Sequence, residues 1–358
     1  MRVAVLYDFL EVIGGGERTA LALGRDLDAP IFTTSLDAGL PARAGFADLD
    51  VRSLGPIPML PPMRQIAATV RFSRARLRGY DAVVCIGNYA LYAAPNHDGH
   101  LWYCLSPTRA FFDRRQAMLE RLPPLRRAAA ATWSSLHGRW ARRTVRRIRR
   151  ILTLSRTVQE RIRRYYGREA PILYPPVALD GFRFRELGDF WLSVNRLYPE
   201  KRIELQLETF RRLPAERLVI VGGAPGDVAR GPYVRSLRPP PNVAFLHEVP
   251  EDRLRELYAR CRGFIATAID EDFGLTPVEA MAAGKCVLAT DEGGFRESVI
   301  HGETGFLLPP RAEAFAERIA ALDDAGLRAM RPRCEARARA FDEAAFVAGI
   351  KEEIGWTG

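Results

Sequence analysis

Lysine is nearly missing from this chain. Of 53 basic residues only Lys201, Lys285 and Lys351 are lysines, so the count of arginines by itself says little about a partner and their positions say more. Cysteine is also scarce: Cys85, Cys104, Cys261, Cys286 and Cys334 are scattered with no Cys-x-x-Cys spacing. That excludes a zinc-ribbon site or a disulfide framework and points to free thiols in apolar cores. No run approaches the ~18 consecutive apolar residues of a membrane-spanning helix. The opening residues, Met1-Arg2-Val3-Ala4-Val5-Leu6-Tyr7-Asp8, read as a short buried strand, because no small-residue cleavage site of a secretory leader follows. The expected location is the cytoplasm.

What is present suits two domains of ordinary size: 358 residues, 47% hydrophobic and 27% charged. The net charge is +10. Its arginines concentrate between Arg109 and Arg168, with a smaller cluster at Arg71, Arg74, Arg76 and Arg78.

Short apolar runs alternate with helical patterns, as in βαβ units with parallel sheets. Strands are expected near 3–7, 82–86, 101–104, 151–154 and 172–173, then near 191–194, 218–221, 243–246, 264–266, 287–289 and 305–307. Proline and glycine between Tyr174 and Gly188 punctuate the chain like a linker. The fold class expected is α/β, with two Rossmann-like domains, 1–176 and 187–340, facing a cleft. Such sheets bind ligands beyond the carboxyl ends of their strands.

The most informative string is Glu271-Asp272-Phe273-Gly274-Leu275-Thr276-Pro277-Val278-Glu279-Ala280-Met281-Ala282-Ala283-Gly284. Two carboxylates stand eight residues apart around a turn that exposes backbone N–H groups at a helix start, where an anion is favoured. Glu279 is expected to open the helix Ala280–Ala283, which stops at Gly284. Carboxylates beside an anion site repel the anion, so they are expected to accept hydrogen bonds from ligand hydroxyls. Hydroxyls with phosphate describe a sugar nucleotide. A second string, Ser193-Val194-Asn195-Arg196-Leu197-Tyr198-Pro199-Glu200-Lys201, brings two cations to one strand end, which suggests an anion between them. Gly14-Gly15-Gly16-Glu17 opens a helical run in the first half, where missing Cβ atoms allow close backbone approach. Leu218-Val219-Ile220-Val221-Gly222-Gly223 ends a buried strand in a Gly-Gly pair against which a flat base could lie.

These strings resemble the retaining glycosyltransferases of the GT-B class, family 4, whose Glu-x7-Glu motif has the form EDFGxxPVEAMAxG. The likeness is strongest from Phe190 to Leu308. It implies that Arg196 and Lys201 bind the donor diphosphate, Glu279 the ribose hydroxyls and Glu271 the transferred sugar. It further implies that Phe273, Gly274 and Leu275 line the sugar site and that Gly15 and Gly16 approach the phosphates from the first domain. Gly222 and the loop from Phe245 to Pro250, with Val249, correspond to the nucleobase side. The helical residues 341–358 would return to the first domain. The implied reaction moves a hexose, of mannose type, from a GDP- or UDP-sugar to a lipid-linked or polysaccharide acceptor with retention of configuration. Fixed cations aimed at the leaving diphosphate lower the barrier by ~3–4 kcal/mol per well-placed donor. No metal and no cofactor is expected: Asp270-Glu271-Asp272 and Asp48-Leu49-Asp50 lack further ligands.

On the acceptor side, Trp102 to Arg109 resembles the family's YCHTPMR, with Leu105 at the His position. Asn88, Tyr89 and Arg109 are the polar candidates there. The segment Trp133–Arg150 mixes Trp133, Leu136, Trp140, Val145 and Ile148 with arginines from Arg139 to Arg150. Such a helix suits an anionic membrane surface, at ~1 kcal/mol per basic residue near the headgroups, on the inner face of the cell membrane. A solvated basic face is the other reading. No module supports nucleic acid as a partner. The rival functions are a sugar-nucleotide epimerase, which needs further acid and base residues in the cleft, and a non-catalytic binding protein, against which intact Glu271, Arg196 and Lys201 argue.

Overall fold

The computed structural model describes every residue except Arg121, residues 224–230, Glu248 and residues 357–358. The chain divides into two compact units, Met1–Pro176 with Ala344–Gly358, and Val177–Glu343.

The first unit holds six parallel strands: β1 Val3–Tyr7, β2 Ile31–Thr33, β3 Val51–Ser53, β4 Ala82–Ile86, β5 His100–Cys104 and β6 Arg150–Thr153, in the spatial order β3-β2-β1-β4-β5-β6. The second holds β7 Phe190–Val194, β8 Arg217–Val221, β9 Val243–Leu246, β10 Gly263–Ala266, β11 Val287–Thr290 and β12 Gly305–Leu308, in the order β9-β8-β7-β10-β11-β12. Counted from its own first strand, each sheet has the same doubly wound order, with the chain reversing direction beside that first strand. Both sheets carry helices between consecutive strands. The central strands are near-continuous apolar runs because helices cover both faces; all five residues of β1 and of β4 are buried.

Two strands go beyond the sequence reading. β2 and β3 have three residues each, and β3 is an edge strand with two exposed positions, too short and too wet to show a period. Conversely, Ile172–Leu173 forms only a single bridge, Thr153 to Ile172, rather than a strand. Pro171 on one side and Pro175-Pro176 on the other lack the N–H groups that further pairing requires.

Residues 177–188 are packed within the second unit. Phe182 lies edge-on to Tyr258, with ring centroids 5.4 Å apart, and the N–H groups of Arg185 and Gly188 donate to the carbonyls of Ala259 and Arg260. Lys285 is fully buried here. Its ammonium donates to the Glu186 carbonyl and sits 4.3 Å from the Phe184 ring centroid. Burial pulls its pKa down to about 8. Although Lys285 follows the Glu279 helix directly, its contacts are those of an internal anchor. The C-terminal helix, Glu343–Ile354, belongs to the first unit from Ala344 on. Phe346 meets Tyr103 at 5.1 Å, and Gly349 leaves room for Leu173, whose Cδ1 lies 2.6 Å from where a Cβ would stand.

Candidate functional site

β7 and β10 are neighbours at the middle of the second sheet, and the chain leaves them toward opposite edges. Doubly wound sheets bind ligands at this switch point, outside the carboxyl ends. The two loops that emerge there are stitched together. Thr267 Oγ1 donates to the Lys201 carbonyl at 2.7 Å and is itself fixed by Gln206 Nε2 at 2.8 Å. The N–H of Ile269 donates to the Glu200 carbonyl at 2.8 Å. Arg202, held at φ 47°, reaches a third loop through two bonds to the Glu292 carboxylate, at 2.5 and 3.2 Å.

This stitching brings Lys201 Nζ to 2.5 Å from Glu271 Oε2, with both side chains about a quarter exposed. Such a pair is stronger than a surface contact and still open to a ligand. The structure does not join Lys201 to Arg196. Arg196 is exposed and makes no ion pair or side-chain hydrogen bond among the described residues.

The Glu271 loop is clamped from below by Gly293 and Gly294. The Gly294 N–H donates to the Glu271 carbonyl at 2.7 Å. A Cβ on Gly294 would lie 2.4 Å from Phe273 Cα, and one on Gly293 would lie 2.5 Å from the Glu271 carbonyl oxygen. Glycine is therefore required for the loops to close to this distance.

The helix after the turn runs Leu275–Ala282, so Glu279 is its fifth residue and does not open it. Gly274, at φ 90°, starts the helix and Gly284, at φ 70°, ends it. The turn is followed at once by helical backbone because Pro277 already fits the first helical turn, where its missing N–H costs nothing. Phe273 is buried and meets Phe341 edge-on at 5.1 Å, which fixes the turn below the helix start. Glu279 accepts a hydrogen bond of 2.7 Å from the hydroxyl of Tyr258, which is fully buried. Burial first, and the Glu279 charge second, push the Tyr258 phenol well above its ordinary range, so it remains a donor.

At the end of β8, Gly222 stands at φ 132°, and a Cβ there would run to 1.9 Å from the Asn195 carbonyl oxygen. The Asn195 N–H donates to the Val221 carbonyl and the Leu197 N–H to the Gly223 carbonyl. Gly222 thus has a packing role whatever lies against it. Val249 is half-buried; Glu248 lies outside the described residues.

In the first unit, Gly15 and Gly16 form the first turn of the helix Gly15–Asp26. A Cβ on Gly16 would meet Tyr7 Oη at 2.6 Å and Leu105 Cδ1 at 2.8 Å. Leu105 therefore packs against the glycine loop itself. Asn88 and Tyr89 follow β4, and their N–H groups, with that of Ala90, donate to Asp8 at 2.6, 2.9 and 2.7 Å. Asp8 is buried, and a Cβ on Gly87 would collide with its carboxylate at 2.6 Å. Burial raises the Asp8 pKa to about 6 against the opposing pull of the three N–H groups. Arg109 is bound to Asp113 through Nε and Nη2, at 2.8 and 2.7 Å.

Asp8, Tyr258, Thr267 and Glu292 do not emerge from the sequence alone. Asp8 carries the one available signal, a carboxylate directly after a buried strand. The other three act through contacts between segments distant in the sequence.

Residues 182–341 match the family described as Glycosyl transferases group 1. Over 170 residues the chain is 32% identical to the GDP-Man:Man(3)GlcNAc(2)-PP-Dol alpha-1,2-mannosyltransferase of Dictyostelium discoideum, covering 40% of this chain and 34% of that protein. Over 166 residues it is 27% identical to the O-antigen chain mannosyltransferase RfbU of Salmonella typhimurium, covering 44% and 47%. The chain thus spans less than half the length of these curated relatives. Among solved structures, Anabaena Alr3699/HepE in complex with UDP and glucose superposes with a TM-score of 0.76 at 18% identity, covering 99% of this chain and 100% of that one. WaaG, a glycosyltransferase involved in lipopolysaccharide biosynthesis, gives 0.69 at 17%, covering 99% and 100%. The fold of this chain is theirs.

Proposed function

We propose that this chain, whose residues 182–341 belong to the group 1 glycosyl transferases, moves a hexose of mannose type from a nucleotide diphosphate sugar to a lipid-linked or glycan acceptor. The reading includes retention of configuration and independence from a metal. The observation that carries it is the Lys201–Glu271 pair at the switch point of the second sheet. Mannose is favoured by the two mannosyltransferase relatives. A GDP- or UDP-sugar is favoured by the GDP-Man of one of them and by the UDP bound to the Anabaena protein.

Each residue's role follows from what it can still offer. Lys201 spends one of its three N–H donors on Glu271, which leaves two for diphosphate oxygens. Arg196, exposed on the same loop, adds a planar fork for the diphosphate. Their charges face the negative charge that grows on the leaving diphosphate, so they act mainly in the transition state. Glu271 accepts from a hydroxyl of the transferred sugar. Glu279, oriented by Tyr258, accepts from the ribose. Backbone N–H groups at Phe273, Gly274 and Leu275 line the sugar, and Gly222 and Val249 flank the base. Asn88, Tyr89 and Arg109 serve the acceptor. The segment Arg139–Arg150 turns toward an anionic membrane surface on the cytoplasmic side.

Melting temperature in the presence of GDP, UDP, ADP and their sugars tests the donor assignment, because a ligand bound to the native state raises its stability. A rise with a GDP- or UDP-sugar is expected. No rise with any sugar nucleotide would sink the proposal.

A further inference from the structure

The helices Met63–Arg74 and Pro124–Arg146 both pack on the 3-10 segment Ala90–Asn96 of the first unit and meet through a buried hydrogen bond of 3.2 Å between Thr69 Oγ1 and His137 Nε2. Each returns the chain from a carboxyl-end loop to the amino end of the next strand, β4 and β6 respectively. They therefore run in the same direction and begin at the same edge of the sheet.

Their charge has one sign. No Asp or Glu occurs in residues 51–80 or in residues 121–159, which together contain seventeen arginines. Arg126, Arg139 and Arg143 are exposed and form no ion pair among the described residues. Apolar side chains stand in the same place. Met59, Leu60 and Met63 are 62%, 77% and 55% exposed, and Leu125, Leu136 and Trp140 are 86%, 57% and 38% exposed. These are six of the ten large apolar side chains that the described residues expose, so the exposure is localised.

The loop that carries Met59 and Leu60 is braced. Arg71 donates to the carbonyls of Leu54 and Pro56, at 3.0 and 2.9 Å, and Gly55 leaves room for the guanidinium. Pro56, Pro58, Pro61 and Pro62 stiffen the remainder. Apolar tips held outward on a stiff loop lose little entropy on entering another phase.

We propose that the loop 54–62 and the two helices form one face that docks on an anionic lipid bilayer, with Met59, Leu60, Met63 and Leu125 entering the headgroup region. This deepens the membrane reading given above and rests on it, but moves its centre. Arg149 and Arg150 lie at the amino edge of the sheet, while the apolar tips lie at the carboxyl edge, where Asn88 and Tyr89 also stand. One-signed charge selects a surface of opposite sign, and exposed leucine and methionine select one with an apolar layer beneath. Nucleic acid offers the first without the second.

Flotation of the full chain with vesicles of phosphatidylcholine alone, and of equimolar phosphatidylcholine and phosphatidylglycerol, tests this. The wild type should float with the anionic vesicles only. The triple variant Met59→Ser, Leu60→Ser, Met63→Ser should partition at least about tenfold less at the same ionic strength, with its melting temperature and its response to sugar nucleotides unchanged. Equal recovery of the wild type with both vesicles, or with neither, overturns the membrane reading and this inference together. Undiminished flotation of the triple variant overturns this inference alone. Tight binding of a fluorescent oligonucleotide without any flotation assigns the face to nucleic acid and also overturns it.

Discussion

The Lys201 ammonium and the Glu271 carboxylate meet at 2.5 Å although 70 residues separate them, each delivered by a loop from one of the two central strands of the second sheet. A cation fixed by a partly exposed anion keeps its position, while its remaining donors stay available.

Lys201→Ala should lower turnover by about two to three orders of magnitude, the usual effect of removing one donor aimed at developing charge. The fold should survive, since the pair is partly solvated and worth about 1–2 kcal/mol. Initial rates with a sugar nucleotide, read beside a thermal melt, check both parts. Near-normal turnover would refute the phosphate role.

Tyr258→Phe separates orientation from chemistry. Without its hydroxyl, Glu279 loses the bond that aims it, and the donor KM should rise several-fold while kcat changes less. An equal fall in kcat would place Glu279 in the transition state rather than on the ribose.

Gly294→Ala places a methyl group 2.4 Å from Phe273 Cα and 2.6 Å from the Asp272 carbonyl oxygen. Backbone must move to admit it, at about 1–3 kcal/mol. Because the displaced loop carries Glu271, turnover should fall as well. Gly302→Ala, where nothing lies within 4 Å of the added Cβ, is the control. It should cost only its left-handed backbone strain and spare activity. Equal activity losses in the two variants would break the link between the clamp and the site.

Asp8 predicts an acid-side gain in stability. Its folded pKa, about 6, lies above the ordinary carboxyl value of 3.8, so the folded state binds the proton more tightly. Stability from this group is therefore fully present below about pH 4 and is lost as pH rises through about 6. The difference is on the order of 3 kcal/mol. Urea unfolding of the wild type and of Asp8→Asn across this window checks it, with the pH slope expected to flatten in the variant. An unchanged slope would place the titration elsewhere.

How much of this is legible from residues alone depends on how far each contact reaches along the chain. The second sheet is readable because Phe190–Val194, Arg217–Val221 and their neighbours are apolar runs bounded by turn residues. The three-residue strands β2 and β3 carry too few positions for a period to show. Gly284 marks the end of the Glu279 helix correctly, but the helix starts four residues before Glu279. Pro277 looks like a turn residue and is in fact in the first helical turn. Lys201 and Glu271 are each nameable from a motif, whereas their pairing depends on Thr267 and Gln206, which no local pattern marks. Asn88 and Tyr89 stand out for their side chains, and what the structure adds is that their backbone holds Asp8.

The poverty in lysine turns into an experimental handle. Lys285 is sealed inside the second unit, and Lys351 stands beside Trp356, its ammonium 5.6 Å from the ring centroid. Among the described residues, Lys201 is thus the one lysine that shares its ammonium with a carboxylate at the switch point. Lysine labelled with carbon-13 at its ε-carbon during expression would give a spectrum with very few lines, one of them ring-shifted by Trp356. The line that moves when a sugar nucleotide is added would report on Lys201 directly, without any substitution in the chain.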